Sequence, residues 1–435
     1  MSKKIEMADE YVKMAEKDMA YAPEFHFTPP TGWMNDPNGL CQYQGTYHLF
    51  YQFNPFAPRM GRTFWGHATS TDLVHWQHEK VALKPNRKYD WVGAWSGSAL
   101  VTNDRMYLFY TGNSIKQQQC LARYDFARGT AEKYAKNPII PVDKLPVKKD
   151  KENFRDPKVI RYKNHYLMVT GGKQDGHGVI YYFQSRNLAD WDYVGLFPCP
   201  EITGALECPD LFELDGRYVV IASQPNNVRY YVYDKMPIDG GIELYQDKLD
   251  FGEYFYAPQS FRAEDGRRIM LAWANAWGKP IGTASHGWAG TMTVPRELSL
   301  DESHHLVVRP CREILAYLAR QAGGRDGWSG AQTGYISKIL DFSEKSEYDI
   351  TVLKDKQSHA AIRFKMRHRD GVVHVFVERD GIYREACTVK GSKLSLEVLL
   401  DHYMAEVFLD DGRKAITEIH YHGGDCILYQ EEAKN

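Results

Sequence analysis

One phrase recurs five times between Asp36 and Ala274: a polar or proline-containing start, a short alternating strand, a turn, then a strongly apolar strand. The copies are DPNGLCQYQGTYHLFYQF from Asp36, SGSALVTNDRMYLFYTG from Ser96, DPKVIRYKNHYLMVTGG from Asp156, CPDLFELDGRYVVIASQ from Cys208 and APQSFRAEDGRRIMLAWA from Ala257. Successive starts are 60, 60, 52 and 49 residues apart. A second phrase, S-x-[DN]-L-x-x-W, occurs as Ser70–Trp76 and Ser185–Trp191, 115 residues apart, against 120 between Asp36 and Asp156. Two independent registers therefore agree. Each unit has room for about four short strands, the content of one propeller blade. A β-sandwich repeats its strands every 8–12 residues or so without such a superperiod. The expected fold is all-β, a five-bladed β-propeller over residues 22–305, with equivalent strand starts converging at one mouth of a central channel.

The flanking segments differ. Ile5, Ala8, Val12, Ala15 and Met19 are spaced 3, 4, 3 and 4, one stripe of an amphipathic helix within residues 1–21. Pro310 to Gly323 reads as a short helix, placing a linker at 306–328. Beyond it, alternating segments such as VVHVFVERDG and MAEVFLDDG, separated by R-D-G and D-D-G turns, predict a C-terminal β-sandwich over 329–435.

Composition removes some functions. A net charge of −2 argues against capture of nucleic acid or an acidic membrane, and no apolar run is long enough to span a bilayer. The 7 cysteines are odd in number and none forms a C-x-x-C pair, which fits reduced thiols in the cytoplasm. The charged N-terminus lacks the apolar region of a signal peptide. No metal-ligand spacing such as H-E-x-x-H occurs, and His67, His75 and His78 read as structural. The 29 Tyr, 19 Phe and 10 Trp suit pleated strands and equally suit stacking on sugar faces.

Three starts carry acids: Asp36, Asp156 and Glu207. Alone, each Asp-Pro is an ordinary turn dipeptide. Their shared place in the repeat puts them in blades 1, 3 and 4 at one channel mouth. Glycoside cleavage needs such a group: one carboxyl protonates the leaving oxygen and another attacks the anomeric carbon or activates water. Crowding raises one pKa, so protonated and ionised carboxyls coexist near neutral pH. Asn35, Gln52, Trp65, Ser96, Arg155 and Trp273 lie near the same positions. Arg155 can hold a neighbouring carboxylate ionised or grip a sugar hydroxyl.

The motifs WMNDPNG (33–39), FYQFNP (50–55), WGHATSTDLVHW (65–76), WSGSA (95–99), FRDPKV (154–159), ECPD (207–210), FYAPQSF (255–261) and WAGTMTVPREL (288–298) resemble glycoside hydrolase family 32. The resemblance runs from about Phe25 to Phe408. It implies a propeller followed by a sandwich, with Asp36 as nucleophile, Asp156 as stabiliser of the transition state and Glu207 as acid/base. It places Asn35, Gln52, Trp65, Ser96, Arg155 and Trp273 around the fructosyl unit and requires no metal or cofactor. The implied activity is that of a retaining β-fructofuranosidase on sucrose, sucrose 6-phosphate or short fructo-oligosaccharides, working as a monomer or homodimer. Fructosyl transfer, fructan exo-hydrolysis and sugar binding without catalysis are the alternatives. Two departures stand out. The loop Pro58–Arg62 carries Arg59 and Arg62, either as solvated charge or as a phosphate site on the leaving-group side. The C-terminal segment is short for the family, so a sandwich strand or more is expected to be missing.

Overall fold

The computed structural model describes residues 3–15, 18, 21–146, 153–225, 227–322, 327–329, 333–355, 361–379, 381–421, 426–427 and 430–434. Each repeat folds as an antiparallel sheet of four strands in sequence order. Blade 1 comprises Gly32–Tyr43, Thr46–Asn54, Phe64–Ser70 and Gln77–His78; blade 2, Gly93–Thr102, Arg105–Asn113, Gln117–Asp125 and Thr130–Lys133. Blade 3 comprises Phe154–Tyr162, His165–Gln174, His177–Ser185 and Asp192–Thr203; blade 4, Glu207–Leu214, Arg217–Gln224, Asn227–Tyr233 and Glu243–Lys248. Blade 5 comprises Tyr256–Arg262, Arg268–Trp273, Arg296–Leu300 and Leu306–Pro310. The first strand of each blade is innermost, and these five strands touch one another in cyclic order. Trp288–Ala289, from blade 5, pairs parallel to Gly32–Trp33 of blade 1 and fastens the ring.

A β-bulge interrupts every inner strand at the equivalent place. Pairing with the second strand skips between Met34 and Pro37, Trp95 and Gly97, Glu207 and Asp210, and Tyr256 and Gln259; in blade 3 it skips opposite Val169 and Gly171, around Asp156. A proline follows the bulged residue in four blades, consistent with a position whose N–H is not needed by the ladder. Three bulged residues are left-handed: Asp156 at φ +62°, Cys208 at +47° and Ala257 at +50°. This conformation is unfavourable for a residue with a Cβ, so the surrounding ring must hold it in place. Bulges re-aim side chains, and here they turn strand-start residues into the channel.

The second repeated phrase is a turn. Ser70 Oγ accepts the N–H groups of Asp72 and Leu73, and Asp72 Oδ1 accepts those of Val74 and His75. Ser185 and Asn187 make the same four bonds to Asn187, Leu188, Ala189 and Asp190. Leu73 and Leu188 take the left-handed position, at φ +62° and +68°. The short polar side chains thus satisfy a turn's backbone donors locally.

The boundaries differ from expectation in three places. The N-terminal helix is two pieces, α1 (Lys3–Glu6) and α2 (Ala8–Met14), and Ala15 is extended. Ile5 and Ala8 are buried with Val12 packed beside them against blade 1, whereas Met19 lies outside the described residues. Leu306–Pro310 is the outer strand of blade 5, so the helix α3 begins at Arg312 and ends at Ala322. Gly327–Ser329 already pairs with Gly334–Ile336 of the sandwich.

Among the described residues the C-terminal domain forms two sheets of five and six strands, with Gln430–Lys434 the sixth strand of the second. Ile350, Phe364 and Val375 meet Leu396, Val398 and Val407 between them. The domain is joined to the propeller by buried charge. Arg296 donates to Glu406 Oε2 at 2.5 and 2.9 Å and to Asp250 Oδ2 at 3.0 Å. His26 lies 2.8 Å from both Asp401 and Glu406. Burial alone would lower the His26 pKa, but bonds to these two carboxylates raise it to about 9. Among the described residues no helix is long and apolar enough to cross a membrane.

Candidate active site

At the mouth where the bulged strand starts converge lies a cavity of about 320 Å³ lined by Asn35, Asp36, Gln52, Ser96, Arg155, Asp156 and Glu207. That is within the size range of small-molecule sites. Asp36 and Asp156 are deep, with 8% and 3% of their surface exposed; the Glu207 side chain, at 28%, stands nearer the opening. The three acids come from the inner strands of blades 1, 3 and 4.

Asp36 is held on both oxygens. Ser96 Oγ donates to Oδ2 at 2.5 Å and Asn35 Nδ2 to Oδ1 at 3.0 Å. Gln52 Nε2 donates to Ser96 Oγ at 2.7 Å, which directs the serine hydroxyl at the carboxylate. Trp33 Nε1 donates to Asn35 Oδ1 at 2.9 Å and orients that amide in turn. The carboxylate therefore presents a fixed face to the cavity.

Asp156 Oδ2 accepts the Cys208 backbone N–H at 2.8 Å. The Cys208 Sγ sits 3.4 Å from Asp36 Oδ2 and 3.6 Å from Asp156 Oδ2, so one buried sulfur separates two carboxylates. Burial, followed by the charges of Asp156, Asp36 and Glu207, pushes this thiol pKa far upward, and it stays an S–H donor. The Asp156 carboxyl has a raised pKa. Burial, with Glu207 and Asp36 adding to it against the pull of Arg155, lifts it to about 7.

Glu207 has two partners of different kinds. Arg155 Nη2 lies 3.0 Å from Oε1, and the Tyr256 hydroxyl donates to Oε2. Burial alone would lower the Arg155 pKa, but Glu207 and Asp156 raise it, so the guanidinium stays charged. Its Nε is buried without a partner among the described residues, and its guanidinium carbon lies 5.8 Å from the Trp95 ring centroid.

Two expected sugar contacts are not there. Trp65 is fully buried between Phe50 and Tyr110, with Nε1 donating to Trp95 O at 3.1 Å. Trp273 is fully buried beneath Trp277, with ring centroids 4.9 Å apart. Both belong to second and third blade strands, where side chains pack between sheets. The aromatic lining is instead Trp95 and Trp277, with Met60, Thr63 and Pro225 completing the wall. Trp95 is adjacent to Ser96 and carried a usable signal; Trp277 sits in an irregular loop and carried none. Tyr256 and Cys208 lie beside repeat starts and were findable from them. Arg59 and Arg62 are exposed and outside the lining, although Met60 between them is part of it. Among the described residues, no group of three or more His, Cys, Asp or Glu is placed to hold a metal ion.

Residues 26–310 match the Glycosyl hydrolases family 32 N-terminal domain, and residues 337–434 match the Glycosyl hydrolases family 32 C terminal domain. The chain belongs to glycoside hydrolase family 32. It is 32% identical to a raffinose invertase of Escherichia coli, over 94% of this chain and 92% of the relative. It is 35% identical to a sucrose-6-phosphate hydrolase of Salmonella typhimurium, over 92% and 89% of the two chains. A Bombyx mori family 32 β-fructofuranosidase mutant in complex with sucrose superposes with a TM-score of 0.82 at 27% identity, covering 99% of this chain and 97% of that one. As a family 32 member the chain is a glycoside hydrolase, and three carboxyl groups around a sugar-sized cavity are the equipment such chemistry needs.

Proposed function

We propose that this family 32 enzyme is a retaining β-fructofuranosidase that releases fructose from sucrose or sucrose 6-phosphate in the cytoplasm. The convergence of Asp36, Asp156 and Glu207 on one cavity carries the proposal. Glu207, nearest the opening, donates a proton to the glycosidic oxygen as Asp36 attacks the anomeric carbon of the fructosyl unit. The carbon–oxygen bond breaks, the leaving sugar departs with the proton, and a fructosyl ester forms on Asp36. Water then gives a proton to Glu207 and its oxygen displaces Asp36, restoring both carboxyl groups. Ser96 and Asn35 keep Asp36 aimed, and Asp156 bonds the fructose hydroxyls as positive charge develops on the ring. Arg155 and the Trp95 and Trp277 rings hold the sugar.

Turnover of sucrose by the wild type and by Asp36→Ala is the first test. Sucrose binding without turnover in the wild type would sink the proposal; loss of turnover with retained binding in the variant supports it. Mass spectrometry of Glu207→Gln incubated with β-fructofuranosyl fluoride, whose leaving group departs without a proton, should detect a trapped fructosyl adduct on Asp36, because deprotonation of the resolving water is removed.

The phosphorylated substrate is favoured by the position of Arg59 and Arg62, which flank the cavity-lining Met60 on an exposed loop. A kcat/KM preference for sucrose 6-phosphate that falls in Arg59→Ala or Arg62→Ala supports this; unchanged ratios reject it. The cytoplasmic placement rests on Cys41, Cys120, Cys199, Cys208, Cys311 and Cys387, which are buried and free of disulfides. Sedimentation measures whether the enzyme is a monomer or a homodimer, and trisaccharide accumulating at high sucrose would favour fructosyl transfer.

A further inference from the structure

The propeller channel has two mouths, and the three acids occupy one. At the other, the later residues of all five inner strands enclose a cavity of about 610 Å³. Its charged lining is mainly basic: Lys158, Arg161, Arg262 and Arg268 stand against Glu213, and Asp210 lies outside the lining, beside Lys158. Lys163 also reaches it but is paired with Asp239 at 2.5 Å. Asp210 is already engaged. Its Oδ1 lies 2.9 Å from Lys158 Nζ and its Oδ2 accepts the Ser260 N–H and hydroxyl at 2.6 Å.

Arg268 has no such match. Its guanidinium carbon stacks 4.4 Å from the Phe212 ring centroid, and its Nε is buried without a partner among the described residues. Burial lowers its pKa to about 10; attraction to Asp210 offsets part of this, and Arg262 adds a smaller repulsion. Positive charge therefore outnumbers the acid in the lining, and the Arg268 guanidinium is shielded from water. A buried donor left unmade is costly, and an arriving anion removes that cost.

We propose that this second mouth binds a small phosphate-bearing molecule through Arg268, with Arg161 and Arg262 gripping it from the rim. Guanidinium groups match phosphate oxygens in a two-pronged geometry that carboxylate-poor, partly buried surroundings strengthen. The cavity exceeds a bare phosphate, and the walls of Leu100, Tyr162 and Tyr218 suit the organic part of an ester. Lys158 is two residues beyond Asp156, and Asp210 three beyond Glu207, on the same inner strands. An occupant here thus contacts the strands that carry two of the acids, from the opposite end.

Isothermal titration of the full chain with inorganic phosphate, and separately with glucose 6-phosphate, tests the site. The expected result is one saturable site per chain for at least one probe. Affinity should fall about tenfold or more in Arg268→Gln and in Arg161→Ala/Arg262→Ala, each loss removing a charge-assisted hydrogen bond. The rim double variant keeps the test decisive if Arg268→Gln does not fold, because both rim residues are exposed. Tighter binding of glucose 6-phosphate supports a phosphate ester as occupant; equal binding supports free phosphate. Absence of saturable binding by both probes overturns the proposal. So does binding that ignores the rim variant, or that is abolished in Arg59→Ala/Arg62→Ala, which would assign it to the catalytic mouth. Sucrose turnover measured alongside keeps this outcome separate from the fate of the fructosidase proposal.

Discussion

Asp156→Asn isolates the effect of burial and crowding on the catalytic carboxyls. The Asp156 pKa rises on folding from its ordinary 3.8 to about 7. The native state therefore binds this proton more tightly than the unfolded chain does. The resulting stability is fully present below the unfolded value and is lost as pH rises through 7. A shift of this size corresponds to about 4 kcal/mol at its limit, and to about 2.5 kcal/mol between roughly pH 5 and pH 8. Asparagine has nearly the same shape, and its amide oxygen can still accept the Cys208 N–H that Asp156 Oδ2 takes at 2.8 Å. It has no proton to lose in that range. Urea unfolding of both proteins across this interval should show the wild type losing about 2.5 kcal/mol more than the variant. Activity should fall about a hundredfold or more, the usual effect of removing one preorganised transition-state contact. Parallel stability profiles for the two proteins would refute the reasoning, since they would mean that Asp156 titrates alike folded and unfolded.

Three further outcomes are expected. Arg296→Met should destabilise the protein by about 3–5 kcal/mol in urea, because it removes the guanidinium that balances the buried Asp250 and leaves Glu406 with His26 as its remaining cation. His26, raised to about 9, links the domains fully below its unfolded value of 6.5 and loses that link as pH rises through 9; His26→Gln should remove this alkaline decline in thermal unfolding. Trp277→Ala should raise KM for sucrose about three- to tenfold with little change in stability, whereas Trp65→Ala should cost about 3–5 kcal/mol of stability through the core it leaves empty.

The repeat made the propeller legible because each blade must bury the same faces against its neighbours. Its turns, its apolar second strands and its strand starts therefore recur with the period of the blade. The S-x-[DN]-L-x-x-W phrase belongs to this class, since its hydrogen bonds are local and need only the residues named in it. The grouping of Asp36, Asp156 and Glu207 in one cavity followed from the same periodicity, although their spacing in the chain is large.

The identity of the aromatic walls was a different matter. Trp65 and Trp273 sit beside site motifs in the sequence yet face the core, while Trp95 and Trp277 face the cavity. In a strand, facing alternates residue by residue, and a single bulge reverses it. The bulge between Trp95 and Gly97 sets Trp95, an irregular loop carries Trp277, and Trp65 and Trp273 lie on strands that pack between sheets, none of which is visible before the sheets form. The titration of the acids likewise depended on tertiary structure. Three carboxyls were readable as a group, but Asp156 became the one raised to about 7 because the ring buries it most and sets it between Asp36 and Glu207. By itself the sequence determined the ring and which acids would meet at its mouth. Burial and register, properties of the assembled blades, decided which rings face the cavity and how far the Asp156 carboxyl is pushed up.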